Sequence, residues 1–183
     1  MRIMLNALGV ASRTIYKTAM IIDLTKDEVR VATQLAIERW LAKWDSVDRP
    51  NYAEGKANGK LEHEVLANIR ANVCEWAAAK FYNLSWNVPW YPNELHNKRF
   101  QLSDIGEGVE VRSVRTRNSV PFWQKDWGKT IVATKCMDEE KFSQVFVFGH
   151  VEASHFAIDD LWDESISGWR IPLELFELDE PTP

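Results

Sequence analysis

The apolar residues of this chain change their spacing once, and that change limits what it can fold into. From Lys26 to Asp45 they recur every three to four residues, at Val29, Ala32, Ala36, Trp40 and Trp44, the period of a helix with one buried face. Thr25-Lys-Asp-Glu28 ahead of them has the capping-box form, a hydroxyl at the N-cap and a carboxylate three residues later. Asp48-Arg-Pro50 ends the run. Arg30, Gln34, Glu38 and Arg39 fall on the opposite face, which assigns this helix to structural support. A second helix is predicted from Leu61 to Tyr82, with Leu61, Val65, Ile69, Val73 and Trp76 in period and small Ala71, Cys74, Ala77, Ala78 and Ala79 around them. From Asp104 onward the pattern is that of strands: Val109–Val114, Thr130–Thr134 and Gln144–Gly149. The last is apolar enough at 145–148 to be buried on both faces. Met137–Lys141 reads as a turn, Val151–Phe156 as the start of another strand, and Ile158–Glu164 as an acidic turn or short helix. Trp169–Leu173 reads as an edge element, where proline is tolerated.

The length, 183 residues, fits one domain with a real core. Residues 1–19 read as an N-terminal extension, because Met20-Ile-Ile-Asp-Leu-Thr resembles a second start. An N-terminal helix and loop follow over 20–60, with the loop at 51–60 read as mobile, then a core over 61–176 and a disordered acidic tail over 177–183. Asn83–Arg99 is irregular. A net charge of −5 argues against a broadly basic nucleic-acid coat but leaves room for a local basic groove. Cys74 and Cys136 have no C-x-x-C spacing, which argues against a zinc site or disulfide framework and for a reducing compartment. No apolar run reaches the roughly 18 residues of a membrane span, and Met1–Met20 lacks the apolar stretch of a signal peptide. The expected location is the cytoplasm, without membrane association. Oligomeric state is open, and a homodimer is compatible with the sequence.

The chemistry gathers at Asp104-Ile-Gly-Glu-Gly-Val-Glu110-Val-Arg112. Strand residues two apart face the same way, so Glu110 and Arg112 share one face while Val109 and Val111 share the other. A glycine turn that folds Asp104 back beside Glu110 brings two carboxylates and a cation together, a donor set for a hard divalent ion. A plain charged hairpin accounts for these nine residues equally well. Glu75 adds weight to the first reading. It stands among Val73, Cys74, Trp76 and Ala77, where an unpaired carboxylate is costly, and so calls for a cation, a metal or hydrogen bonds. Glu64 reads as a solvated surface charge, as do Lys98 and Arg99. Downstream, Arg115, Arg117, Lys125, Lys129 and Lys135 interleave with Trp123 and Trp127, cations for phosphates and indoles for bases. A solvated loop with two core tryptophans is the competing account. His150 is the only histidine that stands out, and a satisfied core or edge histidine is its simpler reading.

Glu75, Asp104 and Glu110-Val-Arg112 together resemble the PD-(D/E)XK, or restriction-endonuclease-like, nuclease superfamily, and within it small phage-type members. The resemblance spans about Thr25 to Pro172. It implies an α/β fold, with a central mixed β-sheet flanked by helices, an N-terminal helical part, and Mg²⁺- or Mn²⁺-dependent cleavage of DNA. It further implies that Asp104 and Glu110 are the metal ligands, Glu75 the helix acid and Arg112 the motif's cation. The basic stretch read above places Arg115, Arg117, Lys125 and Lys129 on the DNA. For a phage-encoded protein the location becomes the host cytoplasm. The family usually carries lysine where Arg112 stands, and its first two acids are usually further apart. Arginine stays charged and cannot accept a proton near neutrality. The alternatives are a nuclease-fold protein that binds DNA or a protein partner without cleavage, and a structural or inhibitory protein that uses its tryptophan-rich surface.

Overall fold

A computed structural model describes residues 20–41, 61–87 and 103–178. The extension at 1–19, the end of the first helix at 42–45, the loop at 51–60, the irregular stretch beyond Asn87 with Lys98 and Arg99, and the tail beyond Leu178 lie outside these residues.

Strand β1 (Met20–Asp23) leads into helix α1 (Lys26–Leu41), and α2 (Leu61–Phe81) follows. The capping box is present: Glu28 N–H donates to Thr25 Oγ1 at 3.2 Å, and Thr25 N–H donates to Glu28 Oε2 at 2.6 Å. Lys80 at the end of α2 donates to Glu28 Oε1 at 3.1 Å, tying the start of one helix to the end of the other. The remaining strands are β2 (Val109–Ser113), β3 (Ser119–Phe122), β4 (Thr130–Cys136), β5 (Gln144–Glu152), β6 (Trp162–Asp163) and β7 (Gly168–Pro172).

They form two sheets: four strands in the order β1-β5-β4-β2, and three in the order β3-β7-β6. The larger sheet is mixed, because β2 runs parallel to β4 while the β4–β5 and β1–β5 pairs are antiparallel. One face carries Val111, Val132, Val145 and Val147 against Ala32, Ala36, Val73, Cys74, Ala77 and Ala78 of the helices. The alanines let the helices approach closely. The other face carries Ile131, Ala133 and Val151 against Val120, Phe122 and Ile171 of the second sheet. The fold is thus α/β, but the described helices cover one face of the mixed sheet. A second sheet covers the other.

Several local expectations change. Strand β5 is not buried evenly on both faces; Val145, Val147 and Val151 are buried while Phe146 and Phe148 are half-buried. A bulge places Phe148 opposite the Ala133–Thr134 step, so the side-chain alternation shifts along the strand. Val151 and Glu152 end β5, and Ala153–Phe156 is a 3-10 turn rather than a new strand. Trp169–Pro172 lies in the central strand of the second sheet, not at an edge. Pro172 stands at the strand's end, beyond Gly168 and Trp169, the β7 residues that pair with β6. At least the start of the supposed tail is ordered: Glu177 pairs with His150 through both backbone bonds. Strands β1 and β3 carried too few residues to show a period.

Candidate active site

Among the described residues strand β2 has a strand on one side only, β4. Thr130 N–H donates to Gly108 O and Val114 N–H to Thr134 O, so the even-numbered residues of β2 bond to β4 and the odd ones face the open edge. The chain turns tightly ahead of β2, with Gly106 at φ 49° and Gly108 at φ 73°. Both lie in the left-handed region that favours glycine. Ile105 N–H then donates to Val109 O, and Asp104 Oδ2 accepts Val111 N–H at 2.8 Å. The carboxylate of Asp104 therefore caps the sheet edge where a further strand would otherwise pair. Asn87 anchors the same turn from outside. Its side-chain amide donates to Ser103 O at 3.0 Å and Gly106 O at 2.6 Å, and its backbone N–H donates to Asp104 O.

Glu110 and Arg112 leave β2 on the face away from the helices, as the alternation requires. Arg112 Nη1 lies 3.1 Å from Glu110 Oε2 and 3.6 Å from Asp104 Oδ2, so one guanidinium nitrogen bridges the two acids. Arg112 Nη2 donates to Asp126 Oδ1 at 3.0 Å. Asp126 is 1% exposed, and its other oxygen accepts Trp123 N–H at 3.0 Å. Lys129 Nζ donates to Glu110 Oε1 at 2.6 Å. Three carboxylates thus face two cations. Burial, with the charges of Glu75 and Glu110, pushes the Asp104 carboxyl up to about 7 against the pull of Arg112 and Val111 N–H. Burial also opposes the charge of Glu110, but Arg112 and Lys129 outweigh it and hold that carboxyl below its usual range. Burial works against Arg112 too, and Asp104, Asp126 and Glu110 more than offset it, raising its pKa.

Glu75 reaches this group from the helix side. It is 5% exposed; Oε1 pairs with Arg39 at 3.4 Å and Oε2 accepts Trp86 Nε1–H at 3.1 Å. The predicted need of Glu75 for a cation and hydrogen bonds is met by Arg39 and Trp86. Arg39 does not stand on a solvent face; it leans onto α2, where Nη1 also donates to Asn72 Oδ1 at 3.2 Å. Glu64 is likewise not a solvated charge, since it accepts Trp40 Nε1–H at 3.0 Å.

The basic stretch divides. Lys129 belongs to the carboxylate group, and exposed Lys125 lies 5.5 Å from the centre of the Trp123 ring. Arg115, past the far end of β2, pairs with Glu139 at 3.4 Å, while Arg117 is exposed. Trp127 is 49% exposed and packs on Trp169 at 6.0 Å between ring centres. His150 is satisfied, with Nδ1 3.3 Å from Tyr82 Oη. Asp126, Trp86 and Arg39 are the members the sequence did not reveal. The only signal for Asp126 was an acid set between Trp123 and Trp127.

Among the described residues no three acid, histidine or cysteine side chains converge on one point. Asp104 and Glu110 supply two hard oxygen donors, and Mg²⁺ is commonly held by one or two carboxylates, with waters and substrate phosphate completing its shell. No family model matches the chain, and no curated protein or solved structure is significantly similar to it. Among the described residues no helix is long and apolar enough to cross a membrane.

Proposed function

We propose that this protein is a metal-dependent nuclease that hydrolyses phosphodiester bonds in DNA on a restriction-endonuclease-like core of the PD-(D/E)XK type. The observation that carries the reading is the bridge: Asp104 and Glu110 face one cationic atom, Arg112 Nη1, at 3.6 and 3.1 Å. Asp104 and Glu110 are the residues that would hold Mg²⁺ or Mn²⁺. Such an ion supplies Lewis-acid polarisation of a phosphoryl oxygen and acidifies water. Asp104 is fixed by Val111 N–H, so its carboxylate is placed by the sheet rather than by a free loop. Arg112 keeps its charge and serves to pair a phosphate oxygen, not to take a proton. Lys129 holds Glu110 in place. Lys125, Arg115 and Arg117 meet the flanking phosphates, and the exposed Trp127 ring offers a base a stacking surface. Glu75, held by Arg39 and Trp86, contributes charge beside Asp104 rather than a ligand oxygen.

The same bridge favours a second reading. Arg112 and Lys129 already pair with the two acids, as they would in a protein of this fold that grips DNA without cutting it. Labelled single- and double-stranded DNA incubated with the full-length protein separates the two. The nuclease reading expects products with Mg²⁺ or Mn²⁺, none with a chelator, and a loss of about a hundredfold or more in Glu110→Gln, the scale of removing one transition-state-stabilising group. Binding at low salt with no product in either metal, retained in Glu110→Ala, establishes the second reading instead. No binding even at low salt, where phosphate contacts are strongest, removes both.

A further inference from the structure

Arg112 is held at two points that differ in kind. Its Nη1 bridges Asp104 and Glu110, the acids proposed to take the metal, while its Nη2 is bound to Asp126. Asp126 is the most buried of the three acids, and its second oxygen is locked by Trp123 N–H at the base of a short 3-10 turn. Of the acids on Nη1, Asp104 is part-exposed at the sheet edge and Glu110 is 8% exposed, whereas Asp126 on Nη2 is 1% exposed. A cation entering between Asp104 and Glu110 meets Nη1 at the same position and must displace it. The guanidinium is planar and rigid, so Nη1 leaves that position with Nη2 still on Asp126 only if the group swings about the Nη2 contact.

We infer that Asp126 is a positioning residue that retains Arg112 by Nη2 while Nη1 yields its place between Asp104 and Glu110 to a divalent cation. The inference rests on the metal reading of that pair. With the anchor in place, the displaced guanidinium stays beside the ion and faces the phosphate. Without it, the whole guanidinium settles on Asp104 and Glu110 and competes with the ion more strongly. Asp126 therefore acts on metal binding through Arg112 alone.

The test is a double-mutant cycle on the full-length protein without DNA, with Mn²⁺ binding read by electron paramagnetic resonance and folding checked by thermal unfolding. Arg112→Gln removes the competing cation and is expected to tighten Mn²⁺ binding by about tenfold, within the range of couplings between contacting residues. Asp126→Asn keeps the shape of the side chain and is expected to weaken Mn²⁺ binding several-fold. In the Arg112→Gln background the same Asp126→Asn change is expected to have no effect. An Asp126→Asn loss of equal size in both backgrounds overturns the inference, since a purely structural aspartate gives that result. If Asp126→Asn does not fold, Arg112→Gln alone still decides: unchanged or weaker Mn²⁺ binding shows that Nη1 does not compete, and the inference fails. If neither wild type nor Arg112→Gln binds Mn²⁺, the metal reading itself falls, and the inference falls with it.

Discussion

Asp104 caps the open edge of β2 through Val111 N–H, yet it lies close enough to Glu75 and Glu110 for their charges to oppose its own. Its carboxyl is pushed from an ordinary 3.8 up to about 7, so between those values the folded protein holds a proton that the unfolded chain does not. The sign follows from linkage: stability contributed by this group falls as pH rises through that window and levels off above it. Glu110 works the other way. Its depressed pKa gives stability that is present above its ordinary 4.5 and lost as pH falls through the folded value. Urea unfolding of wild type and Asp104→Asn in chelator from pH 5 to 8 reads the first effect, with the variant gaining on wild type as pH rises. A constant difference across the range contradicts it. Gly108 gives a second test at this scale. A methyl group there meets nothing within 4 Å, so Gly108→Ala costs only the left-handed backbone penalty, about 1–2 kcal/mol. A cost near zero in urea unfolding contradicts the turn geometry that folds Asp104 back.

At the scale of elements, α1 and α2 are joined by charge as well as by alanine packing. Arg39 of α1 reaches Glu75 of α2, and Trp86, just past α2, donates to the other oxygen. Removing one partner of a buried ion pair strands the other, so Arg39→Ala is expected to cost about 3–5 kcal/mol. Glu75→Gln keeps the shape and an acceptor oxygen, and Arg39 keeps Asn72 Oδ1, so it is expected to cost less, about 1–2 kcal/mol. If both changes cost the same in urea unfolding, Glu75 is not a stranded charge in Arg39→Ala. The sequence made part of this legible. The helices, the glycine turn and the pairing of Glu110 with Arg112 followed from period, capping box and strand alternation, because those signals are local. So did the anomaly at Glu75. Its partners did not, since Arg39 lies 36 residues away and an arginine on a helix looks alike from either face. Asp126 was hidden for a similar reason: it reaches Arg112 only because β3 leaves for the second sheet between them. The bulge at Phe148 and the central position of β7 depend on pairing across the fold, which no local period records.

Across the whole molecule, β4 is the shared wall. Val132 faces the helices and Ile131 faces the second sheet, each at most 1% exposed. Neither layer can leave without exposing the other's support. Ile131→Ala is expected to cost about 2–5 kcal/mol, and helical circular dichroism and tryptophan fluorescence are expected to report one common transition. Separate transitions contradict a jointly supported fold. The wall also places the candidate site, because among the described strands β2 pairs with β4 alone and its outer edge faces Ile105 and Asp104. The central claim is that Asp104 and Glu110 hold a divalent ion for cleaving DNA. The most direct measurement is product formation from end-labelled DNA under Mg²⁺ and Mn²⁺ titration, with Glu110→Gln run alongside. Metal-dependent products that are lost in Glu110→Gln are the predicted result; intact DNA at every metal concentration, or equal cleavage by the variant, contradicts it.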